Sequence, residues 1–242
     1  METLASILIA TALAAGPTAP SADAAHPVIA SSDRMTREEL DERTRMSANF
    51  PNELHRLYGS EAAGRGHWTT ALQQFRLAAR YADKYSQHRI SLMYWHGVGV
   101  ERDPALAYAW ADLAAERLYP NFVVLREKMW MALDETERAR ALQVGQPLYD
   151  EYADEVAKPR LARAILAGVR EITGSRTGFF DGRLQVIGPG GGPHFAGDPG
   201  NFDLAPMYAG WRRDPARYWA VEDAIWAAGS VEVGDAERAP GR

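Results

Sequence analysis

The chain has 242 residues, of which 46% are hydrophobic and 24% charged, with a formal net charge of −5 and no cysteine. This describes a globular chain long enough to bury a core, and the acidic balance argues against an electrostatic grip on nucleic acid or anionic lipid. The lack of cysteine excludes disulfide scaffolds, thiolate zinc sites and cysteine nucleophiles.

Leu4 to Ala15 is an apolar run, too short for the roughly 20 residues of a membrane-spanning helix, and small residues follow it through Ala25. It reads as the hydrophobic region of an export signal over residues 1–25, cleaved after Ala15 or within Ala22 to Ala25. One departure is Glu2, which stands where such signals carry Lys or Arg. The competing reading is an Ala/Pro/Thr-rich tail. Export places the chain in the periplasm or cell envelope, and the tail leaves it cytoplasmic. Under either reading no integral membrane segment is expected in the mature chain.

Residues 26–53 read as a linker and lead-in helix. Thr36 and Glu39 have capping-box spacing, and the helix is expected to end before Pro51.

From Leu54 the chain resembles itself. A shift of 36 residues places Tyr58 on Tyr94, Ala71 on Ala107, and Leu77, Ala78 and Ala79 on Leu113, Ala114 and Ala115; a further shift brings Tyr94 onto Trp130. Two units and a decayed third are expected over residues 54–174. Each unit reads as a helical hairpin. In the second, Ile90, Met93 and Tyr94 recur at helical spacing, and Gly97 and Gly99 supply the positive φ at which a helix stops. Asp103 and Pro104 then provide an N-cap acceptor and a first-turn proline. On the helix they start, Ala107, Trp110, Ala111, Ala114 and Ala115 form a stripe small enough for close helix packing. A single hairpin cannot bury both faces of its helices, so the units are expected to stack as an all-α solenoid.

The stretch from Leu92 to Ala115 resembles the Sel-one-like repeat, a branch of the tetratricopeptide-type helical hairpins. The matching positions are Leu92, Tyr94, Gly97, Gly99, Val100, Asp103, Ala107, Trp110, Ala114 and Ala115. The resemblance implies a scaffold that binds a protein or peptide, with no catalytic or cofactor role for these residues. Two departures stand out. The first unit has Glu61 to Gly64 in place of the Gly-x-Gly turn, so its turn is expected around Gly64 and Gly66. The third keeps Trp130 and a helix from Asp134 to Leu142 but loses the Leu-Ala-Ala signature.

Flanking helices must cap so short an array. Pro147 to Gly174 is one candidate, with Leu161, Ile165, Val169 and Ile172 on one face and a break or kink at Pro159.

Residues 175–213 are rich in Gly and Pro and peak at Gly188 to Pro193, after a strand-like run from Leu184 to Ile187. Phosphate binding is excluded there, because the loop lacks the Lys and Ser/Thr of a phosphate loop and its prolines remove N–H donors. His194, Asp198 and Asp203 read as solvated turn residues and not as metal ligands, so neither metal nor cofactor is expected.

Residues 214–242 start again with a cap and proline, Asp214-Pro215. Tyr218, Trp219, Ala224, Ile225 and Trp226 follow as an aromatic helix expected to fold back on the repeats, and Val231 to Gly234 reads as extended. The segment from Met207 to Val233 resembles the C-terminal extension of some bacterial envelope proteins that carry these repeats.

No hydrolase elbow, metalloprotease or phosphate-loop motif occurs. Tyr81, Tyr85 and His88 lie between two helices, where they either line a partner groove or pack between hairpins. Two functions follow as expectations. The first is a non-enzymatic interaction scaffold or adaptor of the envelope. The second is a carbohydrate- or peptidoglycan-binding module, or a hydrolase, with its site around Asp198, Asp203, Tyr208 and Trp211.

Overall fold

The structure, a computed structural model, describes Ala30 and residues 33–173, 185–186, 202–203, 207 and 209–228. The expected leader, the Gly188 to Pro193 loop, His194, Asp198, Tyr208 and the Val231 to Gly234 run lie outside the described residues. Among the described residues the chain is helical, apart from a two-residue antiparallel pairing of β1 (Gln185–Val186) with β2 (Phe202–Asp203).

Helix α1 (Arg37–Met46) opens on the expected capping box. Thr36 Oγ1 accepts from the Glu39 amide at 3.2 Å, and Glu39 Oε2 accepts from the Thr36 amide at 2.9 Å. The helix buries no residue and rests on α2.

Helices α2 (Pro51–Gly64) and α3 (Trp68–Ala79) pack on each other, as do α4 (Lys84–His96) and α5 (Pro104–Ala114), and contacts of α3 with α4 join the two pairs. Pro51 and Pro104 sit in first turns, where a missing N–H is harmless. The first pair therefore begins three residues before the expected boundary at Leu54. Equivalent alanines keep equivalent places: Ala71 and Ala107 are both fully buried, and so are Ala79 and Ala115. Leu113 is buried but Leu77 faces solvent.

The two inter-helix turns rest on glycine in different ways. Gly97 ends α4 in the left-handed region (φ 68°), and Gly99 (φ 70°) lies so close to α3 that an added Cβ would stand 2.4 Å from Trp68 Cβ. In the first pair the turn does form at Gly64 and Gly66; Gly66 has φ 74° and open space around it.

Beyond α5, a short 3-10 turn (Ala115–Arg117) leads to α6 (Pro120–Ala132) and α7 (Glu135–Tyr152). A second capping box, Asp134 with Glu137, starts α7. Both α6 and α7 pack on α5. The helix expected to end near Leu142 runs on to Tyr152 through Pro147.

The break predicted from proline falls elsewhere. Helix α8 (Asp154–Thr173) continues through Pro159 without a break, and the chain turns instead at Ala153 (φ −59°, ψ 154°). Tertiary bonds set that turn: the Asp154 amide donates to Glu116 Oε2 at 3.1 Å, and its carboxylate is paired with Lys84 and Arg117. Leu161 and Ile165 form the buried face of α8 as expected, and Val169 is half-buried.

Helices α9 (Gly210–Arg213) and α10 (Pro215–Ala228) fold back on the body, against α8 and each other. The main hydrophobic core runs from Ala62 to Ala153 and takes in Phe75, Met93, Trp95, Trp110, Leu125 and Met129. Two smaller clusters flank it. One joins Phe50, Leu161, Ile165, Met207 and Tyr218; the other joins Tyr85, Ala114, Ala115, Tyr119 and Phe122 with Trp226 packed against it.

Candidate interaction groove

The side chains around α10 come from α2, α4, α6 and α8 and from the turn before α6. They form a groove that the aromatic helix occupies.

At one end, Tyr218 is fully buried. Its hydroxyl donates to Glu53 Oε1 at 2.9 Å and accepts from Asn52 Nδ2 at 2.6 Å, while its ring stacks on Phe50 at 5.5 Å. Burial, with Glu222 and Glu53 nearby, raises the phenol pKa well above its usual value. Arg212 bonds Glu53 Oε2 at 2.7 Å and lies 3.9 Å over the Phe50 ring. Trp211, named in the carbohydrate reading, stacks at 6.1 Å on Tyr218.

At the centre, Arg56 of α2 reaches Asp83 at 2.8 Å and Glu222 at 3.9 Å. Asp83 is also the N-cap of α4, accepting from the Ser86 amide at 2.7 Å. Burial works against the charge on Arg56, but Asp83, Glu222 and Glu53 outweigh it and hold the guanidinium protonated. Burial raises the Glu222 carboxyl, against the pull of Arg56.

Arg117 is the hub of the far end. It makes a two-pronged bond to Asp154 (2.6 and 2.9 Å), donates to the Ala82 carbonyl at 2.9 Å, reaches Asp223 at 3.4 Å and lies 4.4 Å over the Trp219 ring. Tyr119 donates to Asp223 at 2.5 Å. Lys84, sealed from solvent, bonds Glu116 at 2.6 Å, Asp154 at 3.0 Å and the Leu113 carbonyl at 3.0 Å. Burial pushes its ammonium below the usual lysine range, despite Asp154 and Glu116. Burial would raise Asp154, but the bonds from Arg117 and the charges of Lys84 and Arg117 hold it well below the usual carboxylate range.

Trp226 closes the groove. Its ring stacks on Tyr85 at 5.6 Å and meets Phe122 at 6.2 Å, and its indole N–H donates to Glu222 at 3.1 Å. Next to both rings is His88, 6.2 Å from Tyr85, 1% exposed and stacked on Phe122 at 4.9 Å, with no hydrogen-bond partner for either ring nitrogen among the described residues. Burial, with the Arg89 charge beside it, brings its pKa down to about 3.

Of the three residues expected at a groove, Tyr85 lies under Trp226, and His88 packs behind it against Tyr85 and Phe122. Tyr81 lies apart, against the Phe50 and Tyr218 cluster. The residues resembling the repeat signature lie in the body instead. Leu92, Ala107, Trp110, Ala114 and Ala115 are buried, and Tyr94 accepts a hydrogen bond from Arg76. Val100 packs at the edge of the main core, and Asp103 caps α5 through the Leu106 amide at 3.0 Å. Among the described residues no group of three or more His, Asp or Glu side chains is placed to hold a metal ion. No described helix is long and apolar enough to cross a membrane.

Sequence reasoning singled out the aromatic residues of α10 but missed Arg56, Arg117 and Lys84, which no motif or spacing marks. The spacing of Tyr218, Glu222 and Trp226, four residues apart, is the signal that marks one docking face. Comparison with protein families, with curated proteins and with solved structures finds no match to this chain.

Proposed function

We propose that this chain is a non-enzymatic protein-interaction scaffold, built on stacked helical hairpins of the Sel-one-like kind and working in the periplasm or cell envelope. One observation carries the reading: four helices of the body and the turn before α6 supply a groove with aromatic slots and paired charges that accommodates a helix along one side. The shared burial of Ala71 with Ala107 and of Ala79 with Ala115 supports the repeat reading, as does the Gly97 and Gly99 turn. Titratable groups along the groove are engaged with one another in ion pairs, which suits recognition by fixed complementary charge.

The test is in-cell cross-linking of the full chain, with a photoreactive residue replacing exposed Ile225 on α10 or Val156 on α8, the helix α10 packs on, and, as a control, Met131 on α6. One discrete partner captured at the first two positions and not at the third is the expected result. Capture of no partner, or equal capture at all three, overturns the reading. N-terminal sequencing of the protein from fractionated cells tests the location, and an intact Met1 in the cytoplasmic fraction overturns export.

A further inference from the structure

The main core contains no residue of α9 or α10. These helices seal only the two smaller clusters, through Tyr218 on one side and Trp226 on the other. Much of what holds α10 is polar, and part of it is imperfect. Glu222 stands 3.9 Å from Arg56, beyond a tight hydrogen-bonded pair, and Asp223 reaches Arg117 at 3.4 Å with its side chain 42% exposed. Ile225 points outward, 55% exposed.

The groove also states the chemistry of what it takes. Arg56 faces acidic Glu222 and Arg117 faces Asp223, Lys158 lies 5.2 Å from the Trp219 ring, and the Tyr85 and Phe122 rings accept an indole. Resting on the scaffold reading, we propose that the groove is an exchangeable helix-binding site, in which α10 is the resident occupant and gives way to an acidic, aromatic helix of a partner protein. That partner helix presents a carboxylate pair flanked by a tyrosine and a tryptophan, each about one helical turn away. In the free chain α10 then blocks the site, and binding requires its release.

The test uses a labelled peptide of residues 209–228 as probe and the full chain as receptor, measured by fluorescence anisotropy. Wild type binds weakly because α10 competes. Full-length Trp226→Ala and, separately, Asp223→Lys weaken the resident helix and bind the probe at least about tenfold more tightly, the scale of losing one interfacial anchor. A probe carrying Asp223→Lys loses that gain on the Trp226→Ala chain. Equal binding by wild type and both variants, each folded by circular dichroism, makes α10 a fixed part of the fold and overturns the proposal. Light scattering that shows a dimer in wild type, lost on Trp226→Ala, assigns the groove to the α10 of a second copy and also overturns it. Probe exchange as expected, with no partner captured by cross-linking, upholds exchange and removes the scaffold reading instead.

Discussion

Arg89 on α4 donates from both terminal nitrogens to the two carboxylate oxygens of Asp33, each at 2.7 Å, and neither side chain is more than 1% exposed. The pair holds the segment before α1 against the body. Ala30 donates its amide to Asp33 at 2.9 Å, and the Asp33 carbonyl lies where a Cβ on Gly64 would be, 2.4 Å away. Arg89 also lies over the Phe75 ring at 5.0 Å. Removing one partner of a fully buried pair leaves an uncompensated charge, so Asp33→Ala is expected to cost about 3–5 kcal/mol. Removing both, as in Asp33→Ala with Arg89→Met, should cost less than Asp33→Ala alone. Urea denaturation of wild type, both single variants and the double variant checks this; additive losses would show that the pair contributes no coupling.

The glycines Gly66 and Gly99 separate two costs that usually come together. Both have positive φ, but a Cβ at Gly66 meets nothing within 4 Å while one at Gly99 meets Trp68 Cβ at 2.4 Å. Gly66→Ala should therefore lose only the backbone preference, about 1 kcal/mol. Gly99→Ala adds a collision that the turn must relieve by moving away from α3, and is expected to cost about 3 kcal/mol in all. Equal melting temperatures for the two variants would refute the contact between this turn and α3.

Local signals carried much of the helix map because a few adjacent residues settle them. The Thr36 and Glu39 box, the Gly97 and Gly99 turn and the caps at Asp103 and Asp214 all lie where the sequence places them. Helix α4 shows where that reach ends. Periodicity marks Ile90, Met93 and Tyr94, yet Lys84, Ser86, Gln87, His88, Arg89 and Ser91 are buried too. Their burial depends on Asp33, Glu116, Asp154 and the Tyr152 carbonyl, which are distant in sequence. The prolines mislead for the same reason. The ring of Pro159 does forfeit a helical bond, but the ion pairs of Asp154 fix the turn at Ala153 instead. The groove was half visible: aromatic spacing predicts that α10 is buried on one face, and says nothing of which helices receive it.

Asp154 links three cations, lying 3.0 Å from Lys84, 2.6 Å from Arg117 and 3.0 Å from Lys158. Asp154→Asn should cost about 3 kcal/mol, since Lys84 stays sealed from solvent with only Glu116 to balance it. Adding Lys84→Met is expected to return part of that loss, because a methionine needs no counter-charge in the same volume. Thermal unfolding of both variants checks the order. A double variant less stable than Asp154→Asn alone would mean that Lys84 matters through its bonds to Leu113 and Gln87 rather than through charge.

His88 gives the fold an acid limit. Its pKa falls from an ordinary 6.5 to about 3 in the folded chain, through burial first and the Arg89 charge second. An unfolded chain therefore takes up a proton that the folded chain refuses. The stabilising contribution is whole above pH 6.5 and is lost as pH falls from there toward 3, at roughly 1.4 kcal/mol per pH unit. By pH 5 the loss is about 2 kcal/mol. His88→Leu removes the titrating ring and keeps an apolar contact for Phe122, so between pH 7 and pH 5 the variant should lose about 2 kcal/mol less stability than wild type. Urea titrations at the two pH values measure that difference. In wild type, the His88 ring resonances should stay unchanged over the same range, and a ring that titrates near pH 6.5 would show that Tyr85 and Phe122 leave it open to water.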